Sequence, residues 1–145
     1  VLSEVPANVT VECENVPAPA NVTVSDNCDT SVVVEFSEVI SEGCPYTITR
    51  TWYSVDNCNN EVTATQIITV IDTISPVVEV PADTTVECDN IPAAGVSIAS
   101  DNCDTDLELG YSENIIDNDG CGYVIVRTWT ALDNCNNLTS ASQYL

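Results

Sequence analysis

The side chains able to do chemistry in this chain are carboxylates and thiols. Eight cysteines sit among 23 acidic residues, with two arginines, no lysine and no histidine. Two sequence contexts hold most of the functional groups. Asp26-Asn27-Cys28-Asp29 recurs as Asp101-Asn102-Cys103-Asp104, and Asp56-Asn57-Cys58-Asn59-Asn60 recurs unchanged as Asp133-Asn134-Cys135-Asn136-Asn137. Thiols at matched spacings and in even number point to disulfides, which persist in oxidising, extracytoplasmic surroundings. Zinc is the competing chemistry, but the chain lacks both His and the paired Cys-x-x-Cys spacing of zinc sites.

Carboxylates with neighbouring amides offer a second chemistry. Calcium takes six to eight oxygen ligands of these kinds. Asp26, Asp29 and Asp56 of the first copy, and Asp101, Asp104 and Asp133 of the second, form the candidate set. Asp72 at the junction joins it, as a residue expected to face the loops of the second copy. The same residue types also make Asx turns, in which the carboxylate accepts backbone N–H groups and no ion is needed. Sequence leaves both readings open. Asp117-Asn118-Asp119-Gly120 begins like a helix-flanked calcium loop but lacks its later ligands, so a turn with Gly at positive φ is expected there. Acid–base or nucleophilic catalysis finds no partner residues, and a small self-filled unit offers no cleft, so no enzymatic role is expected.

These groups repeat because the chain repeats. Val11-Glu12-Cys13 returns as Val86-Glu87-Cys88, and Arg50-Thr51-Trp52 as Arg127-Thr128-Trp129. The offset is 88 − 13 = 75 early in the unit and 135 − 58 = 77 late, so two extra residues fall between Cys103 and Cys121. Two tandem domains are expected, 1–75 and 76–145, the second stopping short of its final strand. Units this small have marginal cores and commonly depend on covalent staples. A fixed period also signals an array, in which reach and display are the natural functions.

Alternating β-branched segments bounded by Pro, Asn, Asp and Gly predict an all-β unit. Strands are expected at 1–12 (split at Pro6), 21–25, 31–38, 46–55 and 61–71, with the Trp52 face of 46–55 turned inward. Val22 and Val24 fall out of phase with Val96 and Ile98, so a bulge or slip is expected in the second strand. If five strands alternate in direction, Cys28 and Cys58 share one pole while Cys13 and Cys44 share the other. That parity predicts Cys13–Cys44, Cys28–Cys58, Cys88–Cys121 and Cys103–Cys135. It also places entrance and exit at opposite ends, which favours a stiff head-to-tail array. Arg50 and Arg127 are expected to pack beside Trp52 and Trp129 and to pair with a carboxylate such as Glu35.

A net charge of -21 excludes nucleic acid and disfavours anionic membrane, because both require a basic footprint. No apolar run is long enough to span a bilayer. The remaining partners are neighbouring repeats and a surface glycan or protein ligand.

The succession Val-Glu-Cys, Asp-Asn-Cys-Asp, Gly-Cys (Gly43-Cys44, Gly120-Cys121), Thr49-Arg50-Thr51-Trp52, Asp-Asn-Cys-Asn-Asn and Val70-Ile71-Asp72-Thr73-Ile74-Ser75-Pro76 resembles the HYR-like, immunoglobulin-type repeats of giant surface adhesins of Bacteroidota, including the SprB-type gliding adhesins. The resemblance implies tandem immunoglobulin-like β-sandwich repeats in a long secreted or surface-anchored protein, exported by type IX secretion. It implies a stalk or filament segment that carries a binding tip; the alternative is a calcium-dependent carbohydrate- or protein-binding module. Asp72-Thr73-Ile74 and Asp83-Thr84-Thr85 match the Asp-Thr pattern O-glycosylated in that group, which makes Thr73 and Thr84 candidate modification sites. Asn8, Asn21 and Asn137 begin N-glycosylation sequons, relevant to a eukaryotic source. The chain departs from the family in carrying Asn59 and Asn136 where Gly often follows Cys.

Overall fold

In the computed structural model, which describes residues 1–118 and 122–145, β-strands dominate and the helical content among the described residues is one short 3-10 turn at Cys13–Asn15. The chain divides into two compact units, Val1–Asp72 and Thr73–Leu145.

The first unit contains β1 (Leu2–Ser3), β2 (Val9–Glu12), β3 (Thr23–Val24), β4 (Glu35–Ile40), β5 (Tyr46–Val55) and β6 (Glu61–Ile71). Strands β5 and β6 have the bounds that alternation predicts, because both are long and uninterrupted by Pro or Gly. The first strand is split as expected. β1 pairs with β3, whereas β2 crosses to run parallel with β6, Val9 opposite Ile68 and Glu12 opposite Ile71. Between them stand Pro6 and Glu4, the latter at φ 66. The fourth strand begins four residues later than expected. Ser31 is taken up by Asp29, whose carboxylate accepts both its N–H and its hydroxyl, so the backbone there turns before it can pair.

The main sheet runs β2-β6-β5-β4, with the β1-β3 ribbon as a second small sheet. Along β5 the inward face holds Ile48, Arg50, Trp52 and Ser54, all nearly inaccessible. Ile48, Ile68 and Val70 form the core cluster, packed by Val11, Cys13, Val16 and Tyr46. Burying such side chains stabilises by about 1.5–3 kcal/mol each, which is substantial in a unit this size.

The second unit contains β7 (Val77–Glu79), β8 (Ile98–Ser100), β9 (Glu108–Asn118), β10 (Tyr123–Leu132) and β11 (Leu138–Tyr144). Its main sheet is β11-β10-β9, and β7 pairs with β8. Residues 84–87, which correspond to β2, form no strand here.

Candidate functional site

Both units build one pole from two Asp-containing loops, and the chemistry of that pole is hydrogen-bond acceptance. In the first unit, Asp26 Oδ1 accepts the N–H groups of Cys28 and Asp29, each at 2.9 Å. Asp56 Oδ1 accepts those of Cys58 and Asn60 at 2.8 Å, and its Oδ2 takes the Asn60 side-chain amide at 2.6 Å. Asp29 joins the two loops. Its Oδ1 holds Ser31, while its Oδ2 accepts the Asn57 N–H at 3.1 Å.

The second unit repeats the arrangement. Asp101 Oδ1 accepts from Cys103 and Asp104, and Asp133 Oδ1 from Cys135 and Asn137. Asp104 Oδ2 accepts the Asn134 N–H at 2.8 Å and so makes the same bridge as Asp29. Sequence reasoning grouped these residues correctly at one end of each unit but left their chemistry open; the geometry is that of Asx turns. Hydrogen bonding to the charged form also sets titration. Asp29 is held below the ordinary carboxylate value, first by the Ser31 hydroxyl and then by the Ser31 N–H, against an opposing push from burial. Asp56 is lowered chiefly by the Asn60 side chain and backbone.

Asn59 and Asn136 adopt φ of 66° and 68°. This explains their place in the loop, since Asn is the commonest non-Gly residue in the left-handed region. Of the other candidate ligands, Asp72 ends the first unit as a buried residue. Asp101 keeps its Oδ2 buried with no hydrogen-bond partner, unlike the fully engaged oxygens of Asp29 and Asp56. Thr73 and Thr84 are exposed, and the Thr84 N–H donates to the Tyr144 carbonyl at 3.1 Å. Asp119, Gly120 and Cys121 lie outside the described residues, so the turn expected there does too.

The thiols follow the expected framework only in part. Cys13, Cys44, Cys103 and Cys135 are disulfide-bonded. Cys28 and Cys58 are exposed free thiols, which replaces the expected Cys28–Cys58 bond. Both thiols are exposed, whereas their bonded counterparts Cys103 and Cys135 are half-buried, although the same Asp bridge joins the loops in both units. Cys88 is an exposed free thiol, and Cys121, its expected partner, lies outside the described residues.

Arg50 is buried and donates from Nε to Glu38 Oε2 at 2.7 Å and from Nη2 to the Pro17 carbonyl at 2.8 Å. Its carboxylate partner is therefore Glu38 and not Glu35, because Glu38 faces Arg50 in the β4–β5 register while Glu35 faces Tyr53. Arg127 matches it, with Glu113 at 2.7 Å and the Pro92 carbonyl at 2.7 Å. That pairing holds Glu113 below its usual range, with the Tyr111 hydroxyl as a second donor. The guanidiniums thus tie the main sheet to the strandless segment over it. Phe36 on Trp52 and Tyr111 on Trp129 stack at 5.6 and 5.3 Å between ring centroids.

Sequence reasoning missed Gln66 and Gln143. Each buries its amide and donates to a carbonyl across the unit, Ala7 at 2.9 Å and Ala82 at 2.8 Å. The signal available was the recurrence of Gln at the 77-residue offset on an otherwise apolar inward face.

Residues 1–70 match the model of a family described as HYR-like domain with 4 cysteines. Comparison with the curated proteins finds no match.

Proposed function

Residues 1–70 are a HYR-like domain, and from that premise we propose that this chain is a structural and adhesive repeat segment of a long secreted or cell-surface bacterial protein. In this reading the repeats form part of a stalk, fibre or gliding-type adhesin that extends a binding tip from the cell. Their partners are neighbouring repeats, the tip meets a surface glycan or protein, and no catalysis is involved. Export follows a type IX route.

The observation that carries the reading is the duplication of a self-satisfied pole. In each unit the pole Asp carboxylates accept backbone N–H groups and one Asn side-chain amide of their own loops, with the Asp29–Asn57 link of the first matched by the Asp104–Asn134 link of the second. Functional groups consumed internally, twice over, suit a spacer better than a ligand-binding surface. The disulfides support an extracellular setting. Among the described residues, no helix is long and apolar enough to cross a membrane. Exposed Thr73 and Thr84 are the proposed O-glycosylation sites, to be sought by mass spectrometry of the secreted protein.

Deletion of repeats from the full-length protein tests the reading. Shortened surface fibres with unchanged target binding are expected. Saturable binding of the isolated two-unit chain to a glycan or cell surface would instead favour the binding-module alternative.

A further inference from the structure

Strand β4 lies mid-chain and forms one edge of the first unit's main sheet, with β5 as its neighbour. All six of its residues, Glu35 to Ile40, are exposed, and none is the Lys or Pro that commonly guards such an edge. Its backbone groups sort by side. Ser41 donates its N–H to the Thr47 carbonyl at 2.9 Å, continuing the register that sets Ile40 opposite Ile48. Because antiparallel ladders alternate, Val39 and Ser37 also face β5, and the N–H and C=O groups of Phe36, Glu38 and Ile40 point away from the sheet. No described strand receives them.

The side chains along this edge sort by face. Phe36 lies on the inward face, its ring 5.6 Å from that of Trp52, and beside the pair opens a groove of about 510 Å³ bordered by Pro19, Val22 and Val34. Glu35 and Ser37 lie on the outward face, and exposed Glu42 follows the strand. No side chain of the chain itself is placed to offset this acid, since its two basic residues, Arg50 and Arg127, are each 3% exposed and already bonded to Glu38 and Glu113. A second copy would bring like charge to the edge.

We infer that the β4 edge is a β-augmentation site for an extended basic segment of another protein, apolar on one face and bearing Lys or Arg on the other. Running antiparallel to β4, the segment exchanges backbone bonds with Phe36, Glu38 and Ile40, and side-chain pockets then select its sequence. The side chain opposite Phe36 shares its face and enters the groove beside Trp52, while the basic residues lie on the other face against Glu35. A carboxylate opposite Phe36 would enter the groove without a partner and is rejected.

The test uses the two-unit chain and a capped peptide of sequence Val-Lys-Thr-Lys-Leu-Lys, whose Val, Thr and Leu stand opposite Ile40, Glu38 and Phe36. Saturable binding is expected, with amide exchange slowed at Phe36, Glu38 and Ile40 and unchanged at Ser37 and Val39, whose N–H groups β5 already holds. The same peptide N-methylated at Val, Thr and Leu keeps its charge and side chains but loses its donors to β4, and should bind weaker by roughly tenfold or more. Asp in place of Leu should cost about as much. Equal binding of the N-methylated peptide would mean mere adsorption of charge on an acidic surface, and protection without alternation would place the peptide elsewhere; either result overturns the inference. So would self-association of the chain alone with the same alternating protection, because a second copy would then occupy the edge. None of these outcomes bears on whether the repeats form a stalk, which is read from fibre length.

Discussion

The two units share their Asx-capped poles and differ in which cysteines are bonded. In the first, β6 reaches Ile71 and is flanked by β2 and β5, so Val70 is covered on all sides. In the second, residues 84–87, which correspond to β2, form no strand. The bonded cysteines differ as well. The first unit bonds Cys13 and Cys44 and leaves Cys28 and Cys58 free, whereas the second bonds Cys103 and Cys135, the counterparts of those free thiols. What stays constant is the Asx-capped pole and the arginine tie. These local hydrogen-bonded devices need only their own loops and the strand they brace.

The largest effect expected from that contrast lies in the cores. Ile68→Ala removes a fully buried side chain from a closed cluster and should cost about 2–5 kcal/mol, the usual range for such a truncation. Leu138→Ala, at a side chain 60% exposed in the second unit, should cost clearly less. Urea melts read by amide exchange in each unit separate the two. Equal losses would mean that burial does not set the cost of truncation in these units.

Disulfides come next. Strand register brings the residues following Glu12 and preceding Tyr46 to the same end of β6, since Glu12 faces Ile71 and Tyr46 faces Val70. Non-reducing peptide mapping should therefore recover Cys13 linked to Cys44, and Cys103 linked to Cys135 across the loops that Asp104 joins. Each bond spans about 30 residues and should contribute roughly 3–4 kcal/mol by chain entropy. Cys28 and Cys58 should be alkylated in the folded protein. On mild oxidation they should close with each other, because their loops are held together as those of Cys103 and Cys135 are. A mixed bond between the two poles of a unit would break this account.

A smaller loss follows at the turns. Asn59→Val places a β-branched residue at φ 66 and should cost about 1–2 kcal/mol, while Asn59→Gly should be nearly neutral. Asn136 should behave the same way, since the two loops are equivalent.

What sequence disclosed and what it withheld follow the same division between local and collective structure. β5 and β6 were legible to the residue because alternation is uninterrupted there and Trp52 marks the inward face. The grouping of Asp26, Asp29 and Asp56 at one pole followed from strand parity. Glu38 as the partner of Arg50 was not visible, because a one-residue change in register changes which side chain faces the guanidinium. Residues 31–34 were misread as strand because their β-branched run hides the Ser31–Asp29 turn that delays pairing. Nor did composition show that Cys28 and Cys58 stay free, since they share their sequence context with the bonded Cys103 and Cys135.

Acid sharpens the comparison further. Asp29 and Asp56 have lowered folded-state pKa values, as does Glu113 in the second unit. Groups depressed on folding contribute stability that is fully present above their unfolded values near 4 and lost as pH falls through the folded values. Stability should be flat from neutral pH to about 5 and decline below about 4. Asp29→Asn should flatten that acid limb in the first unit only, and Glu113→Gln in the second only. An acid limb unchanged by both substitutions would show that these carboxylates titrate alike folded and unfolded.

Calcium should have the smallest effect, and a one-sided one. In the first unit the oxygens that a cation would need already accept N–H groups: Asp29 uses both of its own, and so does Asp56. A cation there would have to displace several hydrogen bonds to gain its ligands, so the melting of this unit should respond no more to calcium than to sodium at matched ionic strength. The second unit differs in the buried Asp101 Oδ2, which has no hydrogen-bond partner. Any calcium response should therefore sit in the second unit and disappear in Asp101→Asn. Because one oxygen is far from the six or more that calcium takes, the shift should not exceed about 2 °C, under roughly 0.5 kcal/mol for a domain of this size. A larger rise, or one in the first unit, would mean that the loops open their Asx turns to bind the ion, and the poles would then be calcium sites after all.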